Sequence, residues 1–342
     1  MAACTALVTG ATGFVGSHLV PHLLGEGYSV RATGRRPRPG WLAPAAEYVA
    51  LDLVEDDADR LRGALDGISH VFHLAGASSS TATQEEMDRA NVEGTRRLLA
   101  AAHDGALERF VHMSSTSVYG EEVQLPQPVY EDVEPHPSRG YGKAKWATEG
   151  VVWERARASM PVAVVRPVTV YGPGNVKLLA SVILDVAIER SMGLGAVVIP
   201  AEPVEQRLVH IDDLVRATAH VAVDDGAVGR AFNVVGETYP SSHEVARIVA
   251  KAFDMAVELS EEPACGPSFE QRSRAHDDMV ARGLVPTILV TGGRFRFLAK
   301  ANRNNRVSVD ALTGTGFRFR ETDFEASVTG TVEWYREHRW VL

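Results

Sequence analysis

Three glycines spaced three residues apart, Gly10, Gly13 and Gly16, constrain the fold of this chain more than any other feature. The apolar run 6–8 before them predicts a buried strand, and residues 14–24 after them carry apolar side chains at helical spacing. Glycine tolerates positive φ and lacks a Cβ, so the backbone turns sharply there and approaches a ligand closely. The following helix directs unpaired N–H groups and its positive dipole end toward the turn.

This strand–turn–helix pattern predicts a binding site for a pyrophosphate, although its spacing differs from the G-x-G-x-x-G of the standard dinucleotide fingerprint. A tight turn without a ligand is the alternative. The candidate binding residues in the turn are Gly10, Thr12, Gly13, Phe14, Val15 and Gly16.

Strand and helix patterns alternate through residues 1–170. The predicted strands are 6–8, 29–32, 48–51, 70–74, 109–112 and 162–165, and the predicted helices are 14–24, 58–65, 84–103 and 141–158. Such alternation with short connections predicts an α/β fold with a doubly wound parallel sheet.

Beyond residue 170 the alternation loosens, which predicts a smaller, interleaved C-terminal lobe made of residues 171–206 and 237–342. The chain returns to the first domain near 207–236, with a helix at 212–223 and a strand at 231–235. Segment 285–296 mixes apolar, glycine and arginine residues and fits neither pattern.

Composition narrows the classes of partner. The net charge is −9 and no basic run tracks a phosphate backbone, which argues against nucleic acid. Cys4 and Cys265 fit neither a disulfide framework nor a zinc site, so no metal is expected. No apolar run approaches the roughly 20 residues that span a bilayer. The first strand begins within a few residues of the start, leaving no room for a signal peptide, and we expect a cytoplasmic protein without a membrane partner.

The end of the second predicted strand points to the choice of dinucleotide. An acidic residue about 20 positions beyond the glycines accepts the ribose hydroxyls in NAD-binding folds, and Gly34 stands there instead. Arg35, Arg36 and Arg38 follow it, and a guanidinium grips a phosphate with two hydrogen bonds. We therefore expect NADP(H), with Arg35 the first candidate for the 2′-phosphate; NAD(H), with a solvated basic loop here, is the alternative.

A tyrosine, a lysine and a group of hydroxyls carry the predicted chemistry. Tyr141 and Lys145 are four residues apart and share one helix face. The Lys145 ammonium is expected to lower the pKa of the phenol from about 10 toward the working range of an acid–base catalyst. Serine hydroxyls at 114–117 follow a strand and can stabilise developing alkoxide charge. Beside a nicotinamide, these groups move a hydride and a proton to or from a carbonyl.

At this point the chain resembles the extended short-chain dehydrogenase/reductases, which include sugar-nucleotide epimerases and dehydratases. The resemblance covers nearly the whole chain. It runs through residues 9–16, 52–53, 73–76, 91–95, 114–120, 141–145, 166–174 and 209–213.

The resemblance implies a Rossmann-type first domain, a small-molecule substrate and a homodimer formed through the helices that contain Asn91 and Tyr141. It implies Ser115, Tyr141 and Lys145 as catalytic residues, with Thr116 as the alternative hydroxyl. It implies that Tyr141 and Lys145 also contact the cofactor, with Lys145 holding the nicotinamide ribose. It implies further cofactor contacts by Asp52, Leu53, Leu74, Ala75, Gly76, Asn91, Ser114, Pro167 and Val168. The implied substrate contacts are Ser78, Ser115, Thr116, Thr169, Asn175, Arg207 and Arg306.

Departures from the family patterns narrow the reaction. In the sugar-nucleotide dehydratases of the family that this chain resembles, Thr-Asp-Glu precedes Val-Tyr-Gly. Residues 115–117 here are Ser-Thr-Ser, without the carboxylates that elimination needs. An epimerase recycles a tightly bound NAD, so the expected NADP(H) pocket favours net reduction of a ketone or oxidation of the secondary alcohol.

The substrate expected first is a sugar nucleotide such as an NDP-4-keto-6-deoxy sugar. Arg207 and Arg306 resemble the arginines that hold the substrate diphosphate in the sugar-nucleotide members of the family. Residues 166–174 instead resemble hydroxysteroid dehydrogenases and dihydroflavonol reductases, and segment 285–298 could line an apolar pocket, so a lipophilic ring ketone is the alternative. Two further alternatives are an epimerase that retains its cofactor and a non-catalytic dinucleotide-binding protein.

Overall fold

A computed structural model describes residues 4–77, 82–102, 107–120, 123–137, 140–262, 266–285, 298 and 306–342. The chain divides into two compact units. The first unit comprises Met1–Val168, Asp212–Val235 and Arg306–Arg318, and the second comprises Thr169–Ile211, Gly236–Asn305 and Phe319–Leu342.

The first unit is built on a seven-stranded sheet with the order β10-β6-β5-β4-β1-β2-β3, in which all neighbours are parallel. Its strands are β1 (Thr5–Thr9), β2 (Ser29–Gly34), β3 (Glu47–Ala50), β4 (His70–His73), β5 (Arg109–Met113), β6 (Val162–Pro167) and β10 (Arg230–Val234). The doubly wound α/β fold expected from the sequence is confirmed. Strand β1 is the first strand along the chain, but in the sheet it lies between β2 and β4, where the strand order reverses.

Helices connect these strands. They are α1 (Phe14–Gly25), α2 (Ala58–Leu65), α3 (Gln84–Asp88), α4 (Gly94–Ala101), α5 (Gly140–Arg157), α7 (Ile211–Val223) and α10 (Asp310–Thr313). Short 3₁₀ turns occupy Thr116–Tyr119 and Asp225–Ala227. Side chains of α2, α4 and α5 form one apolar cluster with β1, β4, β5 and β6, including Leu61, Leu98, Val152, Phe110 and Val71. The sheet is covered by these helices, which explains why its central strands read as continuous apolar runs.

The helix predicted for 84–103 is present over residues 84–101, but it is not regular. It consists of α3, a π-helical segment at Arg89–Glu93 and then α4, while residue 103 lies outside the described part of the chain. Thr83 starts α3 with a capping box that pairs it with Glu86. The wider π turn places Asn91 beside the loop that follows β4, where its side chain bonds Ala77.

The second unit has its own core. Its paired strands are β7 (Thr169–Tyr171) with β9 (Leu208–His210) and β8 (Ala196–Pro200) with β11 (Ala256–Ser260), both pairs parallel. Its helices are α6 (Leu179–Ser191), α8 (Ser242–Ala252), α9 (Phe269–Ala281) and α11 (Phe324–Glu337). Ile183, Val249, Val328 and Tyr335 are fully or almost fully buried in its apolar cluster.

Two of the predicted lobe boundaries need correction. Residues 306–318 were expected in the C-terminal lobe and cluster with the first unit, where Val307 forms a β-bridge with Val129. Residues 207–211 were expected with the first domain and belong to the second unit, because β9 pairs with β7 there. Most of segment 285–296 lies outside the described residues.

Candidate active site

The candidate site lies at the carboxyl ends of three adjacent strands of the first unit, β1, β4 and β5. The glycine turn follows β1, residues 74–77 follow β4, and the hydroxyl-rich segment 114–117 follows β5. Open α/β sheets bind ligands at this edge, near the point where the strand order reverses.

The glycine turn is packed so tightly that side chains are excluded from two of its positions. Gly10 has φ of 68°, and a Cβ there would lie 2.8 Å from the Ala75 nitrogen. A Cβ at Gly16 would lie 2.5 Å from the Gly10 carbonyl oxygen. Gly13 precedes α1 without any side-chain cap, which leaves N–H groups of the first turn available to an anion. The turn fits a nucleotide pyrophosphate.

The Asn91 side chain holds the loop after β4 with two hydrogen bonds to Ala77. The Ala77 N–H donates to Asn91 Oδ1 at 2.6 Å, and Asn91 Nδ2 donates to the Ala77 carbonyl at 3.1 Å. A Cβ on Gly76 would lie 2.5 Å from Asn91 Oδ1 and 3.6 Å from Lys145 Nζ. The loop therefore passes directly beside the lysine predicted to be catalytic.

The end of β2 has little room for the carboxylate of an NAD-binding site unless the Thr12 and Tyr48 side chains move. A Cβ at Gly34 would lie 2.8 Å from Thr12 Oγ1 and 3.0 Å from the Tyr48 hydroxyl. The Tyr48 hydroxyl also donates to the Arg36 carbonyl at 2.5 Å, which fixes the turn that follows the strand.

The three arginines after Gly34 differ in what they contact. Arg38 donates to the carbonyls of Ala43 and Ala46, each at 2.8 Å, so its guanidinium supports the local loop. Arg35 and Arg36 are exposed, and among the described residues neither side chain has a hydrogen bond or ion pair. These two remain candidates for a phosphate.

Asp52 and Leu53, two of the predicted cofactor contacts, have partners within the first unit. Asp52 Oδ1 accepts from the N–H groups of Val54 at 2.9 Å and Glu55 at 3.2 Å, so the carboxylate holds a turn. Leu53 is buried in the apolar cluster of the sheet and packs against Gly94.

Helix α5 brings the tyrosine and the lysine to the end of β5. Lys145 is buried, and its Nζ donates to the Met113 carbonyl at 2.8 Å and lies 5.8 Å from the centre of the Tyr141 ring. A Cβ at Gly142 would collide with the Ser117 carbonyl oxygen, so this glycine lets α5 approach segment 114–117.

The expected effect of Lys145 on the phenol is wrong for this structure. Burial raises the pKa of Tyr141 to about 12. Burial also lowers the pKa of Lys145 to about 8, against an opposing effect of the Glu149 carboxylate. Burial therefore disfavours the charged forms of both side chains, the phenolate of Tyr141 and the ammonium of Lys145.

The hydroxyls of segment 114–117 have different partners. Ser114 donates its hydroxyl proton to Glu149, so its side chain can meet a cofactor only as an acceptor. Thr116 Oγ1 is 3.3 Å from the Pro167 carbonyl, to which it donates. Ser115 Oγ accepts from the Ser117 hydroxyl at 2.8 Å, which leaves the Ser115 proton for another acceptor. Ser115 therefore remains the better candidate for polarising a substrate oxygen.

Beneath the site lies a buried ion pair that the sequence analysis missed. Arg166 Nε is 3.0 Å from Glu149 Oε1, and its terminal nitrogen is 2.7 Å from Oε2. Ser114 and Trp153 also donate to this carboxylate, so all its principal acceptor directions are used. The available signal was the spacing of Glu149, four residues after Lys145 on the same face of α5.

The remaining substrate candidates lie in different places. Asn175 is buried in the second unit, where its side chain bonds the Val170 carbonyl and the Lys177 N–H. Thr169 and Arg207 are half-buried in that unit, and Arg306 is exposed in the first unit. Ser78 lies outside the described residues.

Pro167 and Val168, two of the predicted cofactor contacts, are buried, and the Val168 N–H donates to the Val234 carbonyl at 3.1 Å. Cys4 is an exposed free thiol.

Comparison with known proteins gives a family match and relatives with different substrates. The model of the NAD dependent epimerase/dehydratase family matches residues 6–235. The chain is 32% identical over 248 residues to an uncharacterized protein, y4nG, of Sinorhizobium fredii, covering 72% of this chain. It is 30% identical over 271 residues to a 3 beta-hydroxysteroid dehydrogenase/Delta 5-->4-isomerase of Mycobacterium tuberculosis, covering 72% of this chain and 68% of the relative. The chain spans 51% to 60% of the length of y4nG and two other curated relatives.

A solved structure, MoeE5 in complex with UDP-glucose and NAD, has a similar fold. It is 26% identical to this chain with a TM-score of 0.70, and the match covers 97% of this chain and 99% of MoeE5. Within the described part of the chain, every helix is too short or too polar to cross a membrane.

Substitution of Glu149 tests the buried ion pair. Glu149→Gln removes the directly bonded counter-charge of the buried Arg166 guanidinium, and we expect the free energy of unfolding to fall by about 3–5 kcal/mol. Glu154→Gln on the same helix removes a half-exposed partner of Arg96 and is expected to cost about 0–1 kcal/mol. Urea unfolding measures both values, and equal losses would contradict a buried pair.

The pKa of Lys145 predicts pH-dependent stability. With a folded pKa of about 8 and an unfolded pKa of about 10.4, the unfolded chain binds more protons between these values. The contribution of Lys145 to stability therefore rises with pH across that window and is lost as pH falls through about 8. In urea unfolding, the free energy of unfolding of the wild type relative to that of Lys145→Met should increase as pH rises from about 8 to about 10.4. Lys143→Met, an exposed control on the same helix, should keep a constant offset; parallel curves for both variants would show that Lys145 is not desolvated.

Proposed function

The chain belongs to the NAD-dependent epimerase/dehydratase family, and from that premise we propose that it is an NADP(H)-dependent oxidoreductase. It reduces a ketone, or oxidises the corresponding secondary alcohol. The observation that carries this proposal is the position of buried Lys145 between the Met113 carbonyl, the Tyr141 ring and the Gly76 loop. A non-catalytic binding protein has no need for a lysine buried at a cost in desolvation energy.

Three side chains have distinct roles in the proposed reduction. A bound nicotinamide supplies the hydride. Tyr141 donates its phenolic proton to the carbonyl oxygen, and its raised pKa keeps that proton in place at neutral pH. The Lys145 ammonium stabilises the phenolate that remains, and Ser115 donates a hydrogen bond to the oxygen as negative charge develops. In the oxidation direction Tyr141 must first lose its proton before it can accept one from the alcohol, and the Lys145 ammonium supplies the charge that favours this phenolate.

Net redox chemistry is favoured over elimination by segment 115–117. Dehydration needs a general acid and a base on adjacent atoms of the substrate, and this segment supplies hydroxyls only. The proposed preference for NADP(H) distinguishes the protein from an epimerase that retains NAD. The limited space at Gly34 and the exposed guanidinium groups of Arg35 and Arg36 support that preference.

We place a lipophilic ring ketone first among the substrate classes, which reverses the order expected from the sequence. Its support is the 30% identity with a 3 beta-hydroxysteroid dehydrogenase over 271 residues. A keto-sugar nucleotide is the second class. It is supported by the likeness to MoeE5, solved with UDP-glucose and NAD, and by the proposed roles of Arg207 and Arg306.

A substrate panel tests the proposed reaction. Steroid-like and aromatic ring ketones are compared with keto-sugar nucleotides by following NADPH oxidation at 340 nm, with about tenfold faster turnover by one class deciding between them. Turnover of neither class, together with release of an epimerised sugar nucleotide without net NADPH consumption, would contradict the proposal.

Replacement of the tyrosine tests its role as the proton donor. Tyr141→Phe removes the proton and keeps the ring, so kcat should fall by at least about 10²-fold, while the Kd for NADPH changes little. Stopped-flow turnover and fluorescence titration separate the two effects. Tyr130→Phe, on an exposed tyrosine of the first unit, is the matched control. An unchanged kcat in Tyr141→Phe would exclude the mechanism.

Replacement of Arg35 tests cofactor selection. The wild type should bind NADPH more tightly than NADH, and Arg35→Ala should narrow the ratio of the two Kd values by about tenfold through loss of a charge-assisted bond to the 2′-phosphate. Arg62→Ala, which removes a half-exposed guanidinium elsewhere on the first unit, should leave the ratio unchanged. Equal wild-type affinity for both cofactors would refute the NADP(H) assignment.

A further inference from the structure

A buried hydrogen-bond chain connects β1, β4 and α4 through one imidazole. His73 lies at the end of β4 with 1% of its surface exposed. Its Nδ1 is 2.7 Å from Thr9 Oγ1, and its Nε2 is 2.7 Å from Thr95 Oγ1. Both threonines are also buried, so water does not compete for these contacts.

The direction of each bond follows from the outer partners. Thr95 Oγ1 is 2.5 Å from the Asn91 carbonyl, which only accepts, so the Thr95 proton points there. Thr95 Oγ1 therefore accepts a proton from His73 Nε2. At the other end, the Ala75 N–H donates to Thr9 Oγ1 at 3.2 Å, which leaves the Thr9 proton for His73 Nδ1.

These constraints select one form of the imidazole. The hydrogen-bond chain runs in a single direction from the Ala75 N–H, through Thr9, His73 and Thr95, to the Asn91 carbonyl. Thr95 requires a proton on His73 Nε2, and pairing of the buried Thr9 proton requires an unprotonated Nδ1, so the fully paired chain has a neutral His73. Burial, together with the nearby charge of Lys145, lowers the pKa of His73 to about 3, which agrees with the neutral form.

The two ends of the chain converge on one loop. Thr9 holds the loop at Ala75, and Asn91, whose backbone ends the chain, holds it at Ala77 through its side chain. Gly76 lies between them, where a Cβ would be 3.6 Å from Lys145 Nζ. A change in the protonation or position of the His73 imidazole therefore alters the hydrogen bonds that hold Ala75 and Ala77, in the loop that faces the proposed cofactor site.

We propose that His73 is a positioning residue, fixed as the neutral Nε2–H tautomer, that sets the loop 74–77 for the nicotinamide cofactor. The cofactor part of this proposal rests on the proposed function. The tautomer and the positioning of the loop are properties of the protein alone.

The tautomer is tested by ¹⁵N NMR of protein labelled at histidine, with the His73 signals assigned by their loss in His73→Gln. We expect one protonated Nε2, one unprotonated Nδ1 and no titration between about pH 5 and pH 8. A protonated Nδ1, or titration within that range, would overturn the proposal.

The positioning role is tested by substitution of Thr95. Thr95→Val removes the hydroxyl at constant shape, and we expect the Kd for NADPH to rise about tenfold and the Ala75 and Ala77 amides to exchange faster by a similar factor. Thr95→Ser restores the hydroxyl and should stay within about twofold of the wild type.

The matched control is Thr218→Val. Thr218 is also fully buried on a helix, and its hydroxyl also donates to the carbonyl four residues earlier, at 2.7 Å from Leu214. It has no imidazole partner among the described residues, so its loss should lower stability while leaving NADPH affinity and the two amides unchanged.

The outcomes separate this proposal from the proposed function. Equal effects of Thr95→Val and Thr218→Val on the loop amides would show that His73 has only a structural role. If the wild type binds neither NADPH nor NADH, the proposed function fails, and the cofactor role of His73 fails with it. The NMR pattern and amide exchange then still decide whether the imidazole positions the loop.

Discussion

The buried pair between Glu149 and Arg166 is the interaction on which the candidate site depends. It joins α5, which carries Tyr141 and Lys145, to β6, and through Ser114 it also joins α5 to the end of β5. Two opposite charges at this depth are stable only with well-aligned hydrogen bonds. The pair therefore selects one placement of α5 on the sheet, and that placement determines where the phenol and the ammonium lie.

The pair extends away from the site through further buried polar groups. The Tyr119 hydroxyl accepts from Arg166 at 2.9 Å and donates to Asn233 Oδ1 at 2.7 Å, which links the pair to β10 at the edge of the sheet. Burial raises the pKa of Tyr119 to about 12, so this hydroxyl keeps its proton as a donor. Each polar group has a partner, which is the condition under which a buried network favours a single arrangement.

Two buried histidines of the sheet lie near Lys145. His73 and His112 lie next to each other on β4 and β5, with ring centres 5.5 Å apart, and burial keeps the pKa of both well below neutral. Both imidazoles lie near enough to Lys145 for its charge to act on them, and Glu149 supplies a favourable charge to the lysine. The candidate cofactor and acid–base groups lie at the strand ends of the first unit, and the second unit has a separate core.

The sequence alone determined the features that are written in local periodicity. Alternating strand and helix patterns gave the parallel sheet, glycine spacing gave the turn after β1, and the four-residue spacing of Tyr141 and Lys145 placed them on one helix face. Only the tertiary structure decided which distant groups meet. Glu149 and Arg166, or Thr9, His73 and Thr95, come from separate elements, and no local pattern relates them. The π turn at Asn91, the limited space at Gly34 and the raised pKa of Tyr141 likewise depend on packing and desolvation, which arise only when the sheet and its helices enclose these groups.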